Sequence, residues 1–171
     1  AVAECARGIG DVQVRNLGTI GGSVVHADPA SDMPAVLLAL GARLTLRSPA
    51  GEREAALDEV LAGPFTTTLG AQELVTDVVV PVPPAGSGSA YVSVEHPASG
   101  FALAGAAALV GPDGDRVAVT GIGARPVVVR EDGVAGIEVF GDRFAPEEYR
   151  RELAAVVVER ALAAARERSA A

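Results

Sequence analysis

The chain has 171 residues, 49% of them hydrophobic but with no Trp, two Tyr and four Phe, so any core must be built mainly from Ala, Val and Leu. Its 14 basic and 22 acidic residues leave a net charge of −8, which argues against nucleic acid or an anionic membrane surface as a partner. Cys5 is the only cysteine, which excludes an intramolecular disulfide, a cysteine zinc site and an Fe–S cluster held by this chain alone; it fits a reducing cytoplasm.

Ala1 to Arg7 reads as helix, closed by Gly8. Asp11 to Asn16 leads into a glycine-rich stretch, Leu17-Gly18-Thr19-Ile20-Gly21-Gly22-Ser23. Gly21 and Gly22 permit positive φ and close approach of another group to the backbone. Successive N–H groups in such a turn can form an anion-binding concavity, with Thr19 and Ser23 as hydroxyl donors. The same residues also suit a purely structural tight turn. The dinucleotide fingerprint fails, because Gly8-x-Gly10 lacks its third glycine, and no Gly-Lys-Ser/Thr makes a P-loop.

Asp28 to Asp32 is turn chemistry, followed by a helix through Val36 to Leu40 that stops at Gly41. Ser31 or Asp32 can be its N-cap. Asp32 has a second reading, as a carboxylate beside the loop that accepts from sugar-type hydroxyls. Ala42 to Ser48 alternates with period two, and Arg53 to Ala56 can pair back as a hairpin. A short helix at 57–61 and a strand from Glu73 to Val80 follow.

Ala85-Gly86-Ser87-Gly88-Ser89 is the strongest linker signal and places a boundary between 1–84 and 85–171. Beyond it, Tyr91–Glu95, Phe101–Val110, Arg116–Ile122 and Val127–Arg130 suggest an antiparallel sheet, with a hairpin turn at 112–115. Gly121-Ile122-Gly123 reads as a bend. A last helix opens near Pro146, with Leu153, Val156, Val157, Ala161, Leu162 and Ala165 as its apolar stripe and its charges on a solvated face. The order of elements implies an α+β fold. No catalytic triad or metal-ligand spacing is present; His26 and His96 read as ordinary loop histidines, and Cys5 as a small core residue.

The run Gln13 to Ser23, with Ala27 to Pro34 and Leu37 to Ala42, resembles the FAD-binding (medium) subunit of molybdenum hydroxylases of the carbon monoxide dehydrogenase and xanthine dehydrogenase type. Glu73 to Pro81 matches the family's following strand, and 101–110 and 121–127 match its C-terminal domain more loosely. The resemblance implies that 1–84 is the second half of a PCMH-type FAD-binding domain. It implies a small C-terminal α+β domain of the molybdopterin dehydrogenase flavoprotein type at 85–171. Thr19, Ile20, Gly21, Gly22 and Ser23 are then expected at the FAD diphosphate and ribityl region, Asp32 on the polyol chain, and Leu74 or Val75 along the isoalloxazine. The implied activity is electron transfer through FAD in an oxidoreductase. The expected partners are a large molybdopterin-binding subunit carrying the molybdenum cofactor and a small [2Fe–2S] subunit, in a dimer of heterotrimers. Family members begin with another subdomain bearing an Ala-Gly-Gly-rich FAD loop, which nothing here matches, so the chain is expected to be the later part of such a subunit. The alternative is a subunit-docking piece that holds no FAD by itself.

Overall fold

A computed structural model describes residues 1–170. Helices α1 (Val2–Gly8), α2 (Val12–Leu17), α3 (Ile20–His26) and α4 (Asp32–Ala39) precede strands β1 (Arg43–Ser48) and β2 (Gly51–Ala56). Helix α5 (Leu57–Val60) and strands β3 (Leu61–Gly63), β4 (Thr66–Thr67) and β5 (Leu74–Val79) follow. The second half holds β6 (Gly88–Glu95), β7 (Ala102–Val110), β8 (Arg116–Thr120), β9 (Val127–Val128) and the long α6 (Glu147–Ser169). The α+β expectation holds, with every strand pairing antiparallel. Among the described residues no helix is long and apolar enough to cross a membrane.

The expected hairpin is β1–β2, and β5 pairs along the other side of β1, giving the order β2-β1-β5. Leu44 and Leu46 of β1 point into the core while their neighbours stay exposed or half-buried, as period-two patterning requires. The second sheet has the order β6-β7-β8-β9. It is covered on both faces, and the alternation of β7 shows how. Ala107, opposite Ala118, joins the core under α4, while Ala106 and Ala108, opposite Val119 and Val117, join the core under α6. A strand buried on both faces has no polar face, which explains the unbroken apolar run from Ala102 to Val110.

Small residues let the layers approach closely. A Cβ on Gly88 would overlap the Ala165 carbonyl of α6. The buried seam of α6 is Arg150, Ala154, Val157, Ala161 and Ala165. This corrects the expected stripe, because Val156 is exposed and Leu153 and Leu162 only border the core. The reason is the spacing to the sheet, which admits Ala where Leu would not fit. The charges of α6 are not all solvated either. Arg150 is buried: Nη1 donates to the Leu103 carbonyl at 2.8 Å and to the Gly121 carbonyl, and Nη2 pairs with Asp142 at 2.7 Å. Arg168 pairs with Glu4 of α1 and donates to the Ser89 carbonyl at 2.6 Å, tying both ends of the chain across β6. This pairing holds the Glu4 carboxyl down at about 2.

Two readings of the N-terminal region change. Residues 12–17 are not a lead-in but a short helix, capped by Asp11, whose carboxylate accepts from the Val14 N–H at 2.9 Å. The glycine stretch is not an irregular loop: Thr19 is the N-cap of α3, its hydroxyl accepting from the Gly22 N–H at 2.9 Å. Gly21 and Gly22 therefore lie in the first helical turn, and neither has positive φ. The left-handed position falls instead on Ala27, the C-cap of α3, at φ 52°.

Candidate functional site

The sequence from Gly18 to Asp32 folds as a helix N-terminus, about two turns of helix, and a turn into the next helix. Thr19 caps α3 because its hydroxyl replaces an N–H acceptor that the helix start cannot supply. At Gly21 an added Cβ would meet no atom within 4 Å, whereas at Gly22 it would lie 2.8 Å from the Thr19 hydroxyl. Gly22 thus serves the cap, and Gly21 presents bare backbone to open space.

The turn 27–31 is held from the second half of the chain. The Thr120 hydroxyl, at the end of β8, lies 2.9 Å from the Pro29 carbonyl and 2.8 Å from the Ser31 carbonyl, so its proton can serve either. The Gly121 N–H donates to the Pro29 carbonyl at 2.9 Å. Gly121 makes the expected bend at φ 81°, and a Cβ there would crowd the Ala102 carbonyl at 2.5 Å. Across the turn, the Ser23 and Ser31 hydroxyls are 2.8 Å apart.

Ser31 is the N-cap of α4 but makes no side-chain cap bond, and Asp32 is the first helical residue. Asp32 is nearly buried, and its Oδ1 accepts from the Tyr91 hydroxyl of β6. Burial raises the Asp32 carboxyl to about 6, against the lowering effect of the Tyr91 bond. Neither simple cap nor fully solvated carboxylate describes it.

These residues border three clefts. The first, about 500 Å³, is lined by Thr19, Ile20, Gly22, Ser23, Arg15 and Phe101 among others. A smaller one of about 160 Å³ is lined by Asp32, Ser23, Ser31, Ser99 and Phe101. On the other side of α3, a cleft of about 360 Å³ is lined by Ile20, Gly21, Leu37 and Val75. Ile20 borders the first and third, and Ser23 the first and second, so seven of the eight expected residues form one continuous region. Leu74 does not: it is 71% exposed and borders none of these clefts. Alternation along β5 separates it from Val75.

A family model described as the FAD-binding domain in molybdopterin dehydrogenase matches residues 1–83. The carbon monoxide dehydrogenase medium chain of Afipia carboxidovorans is 31% identical, over 98% of this chain and 67% of its own length. The chain belongs to the FAD-binding, medium-subunit family of the molybdenum hydroxylases. The glyceraldehyde dehydrogenase medium chain of Sulfolobus acidocaldarius is 46% identical over 114 residues, covering 67% of this chain and 40% of its own. The solved carbon monoxide dehydrogenase of Hydrogenophaga pseudoflava superposes with a TM-score of 0.89 at 30% identity, over 97% of this chain and 67% of that one. The match to the Sulfolobus medium chain spans well under half of that relative, and those to the two carbon monoxide dehydrogenases about two thirds.

The site of this medium-subunit chain fits a flavin dinucleotide on its own geometry. Bare backbone at Gly21 leaves room for a group against the chain, and the α3 N-terminus offers N–H donors beside Thr19 and Ser23 hydroxyls. Arg15, which sequence reasoning did not single out, is the cationic side chain of the first cleft; its Nη1 donates to the Ile9 and Gly10 carbonyls, each at 2.9 Å. Phe101 was likewise missed: it borders two clefts but lies about 80 residues downstream, beyond any local pattern.

Proposed function

We propose that this chain holds the FAD of a molybdenum hydroxylase and serves as its electron-transfer subunit. The observation that carries the reading is the α3 N-terminus, capped by Thr19 and unobstructed at Gly21, where three clefts meet around the motif. In this reading Thr19 to Ser23 hold the diphosphate and ribityl region, the Asp32 carboxylate accepts from the polyol chain, and Val75 provides an apolar edge. Leu74 retains a role only if a group reaches the outer face of β5. FAD, when bound, supplies the redox chemistry; the chain binds it, orients it and tunes its surroundings. A large molybdopterin-binding subunit oxidises the substrate, and a small [2Fe–2S] subunit links that site to this one, in a cytoplasmic dimer of heterotrimers. None of the titratable side chains bordering the clefts is needed as an acid, base or nucleophile.

A second reading, docking without flavin, draws on the exposed apolar residues Val12, Leu17, Leu74 and Val82. Gly21→Val separates the two. The added Cβ meets no atom within 4 Å and the γ-methyls face an open cleft, so thermal stability should hold, while FAD affinity of the full-length subunit, read by flavin fluorescence, should fall about tenfold or more. Unchanged affinity, or a wild-type subunit without flavin absorbance, would overturn the FAD reading and leave docking.

A further inference from the structure

Asp32 is one of three polar or charged side chains in the buried set, and its environment is built by a strand far along the chain. Tyr91 lies on the α4 face of the second sheet, opposite Ala107. The sheet is notched for it: a Cβ on Gly105 would lie 2.5 Å from the Tyr91 hydroxyl oxygen and 3.0 Å from the Thr120 methyl. The same notch therefore admits the tyrosine and sets it beside Thr120, which holds the backbone of Pro29 and Ser31. Tyr91 reaches Asp32 Oδ1, and among the described residues no hydrogen bond is made to Oδ2. The carboxyl borders the small cleft shared with Ser23 and Ser31, whose hydroxyl pair opens onto the large one.

We propose that Tyr91 is a positioning residue for flavin binding: its hydroxyl clamps one oxygen of Asp32 and leaves the other fixed as an acceptor for a ligand hydroxyl. The inference rests on the FAD reading above and adds a residue to it. A carboxylate without the clamp loses a donor that stabilises its charged form, so it protonates at higher pH and accepts less well. The ionisable groups facing the carboxyl are Cys5 of α1 and Tyr91 and Glu95 of β6. The Cys5 thiol is pushed up to about 12 by burial and the Tyr91 phenol is raised further, so both stay neutral, and the negative charge of Glu95 opposes ionisation of Asp32.

The test is a double-mutant cycle on the full-length subunit with FAD as the probe, read by flavin fluorescence between pH 5 and 8. Tyr91→Phe should weaken FAD binding at pH 7 by about tenfold, the scale of one hydrogen bond to a charged group, and move the pH midpoint of binding upward. In an Asp32→Asn background the same change should cost less than about twofold, because the two groups act together. An unmoved midpoint, or a full effect of Tyr91→Phe without the carboxylate, overturns the proposal. Carbon-13 NMR titration of the Asp32 carboxyl in the flavin-free subunit judges the clamp separately: its midpoint must rise in Tyr91→Phe. A wild-type subunit that binds no FAD while this midpoint rises sinks the FAD reading and keeps the clamp; an unmoved midpoint sinks the clamp.

Discussion

The region from Asp11 to Ile20 and the layer formed by β6, β7, β8 and α6 are built on opposite terms. In the first, every residue is exposed, including Val12, Val14, Leu17 and Ile20. In the second, Ala90, Ala104, Ala106, Ala108, Ala154, Ala161 and Ala165 are almost wholly buried. The larger apolar side chains lie outside and the smallest inside. A surface of capped short helices with unpacked apolar side chains is suited to holding something, whereas a tight alanine-lined sandwich is suited to holding shape. The link between them is polar: Tyr91, Thr120 and Gly121 of the sandwich grip the turn at 27–32.

The contrast breaks most sharply at Arg150. Arg150→Met removes the donor for the Leu103 and Gly121 carbonyls and the partner of Asp142, and should destabilise by about 3–5 kcal/mol in guanidinium unfolding. Flavin affinity of the protein that remains folded should change little. An Arg150→Met subunit as stable as wild type would show that the sandwich is held by packing alone.

Glycines sharpen the comparison next. Gly88→Val pushes into the α6 backbone at Ala165 and Ser169 and should cost about 1–3 kcal/mol of stability while sparing the cleft. That is the reverse of Gly21→Val, which spares stability. Equal thermal shifts in the two variants would erase the distinction between scaffold and site glycines.

The smallest effect is in pH dependence. Asp32 is raised when folded, so its burial opposes folding above about pH 6, and this cost fades as pH falls from 6 towards the ordinary carboxylate value of 3.8. Glu4 is lowered, so the stability it contributes is complete above 4.5 and lost as pH falls from 4.5 towards 2. The flavin-free wild type should gain stability relative to Asp32→Asn as pH falls from 7 to 5, and both proteins should lose stability below 4.5 as Glu4 protonates. Denaturation midpoints measured across that range check both signs.

Much of the chain was legible from residue order. The β1–β2 hairpin follows from the alternation of 42–48 and the pairing back of 53–56, the strands of the second sheet from apolar runs between turns, and α6 from its entry near Pro146. These features depend on neighbours within a few residues, where backbone preference and period act directly. Thr19 to Ser23 and Asp32 drew notice by residue type, and Leu74 or Val75 only through the family resemblance; the fold brings all of them but Leu74 to the three clefts. Most of what the sequence alone left open was decided by contacts between elements far apart in the chain. Thr19 turned a glycine loop into a capped helix, but only the fold shows Gly21 facing empty space. The α6 stripe shifted to Arg150, Ala154, Val157, Ala161 and Ala165 because the sheet, and not helical period, sets which side chains fit beneath it. Asp32 became neither cap nor free carboxylate because Tyr91, 59 residues away, reaches it through a notch left by Gly105. Local order fixes which elements form; the volumes and hydrogen bonds available between distant elements decide which atoms meet.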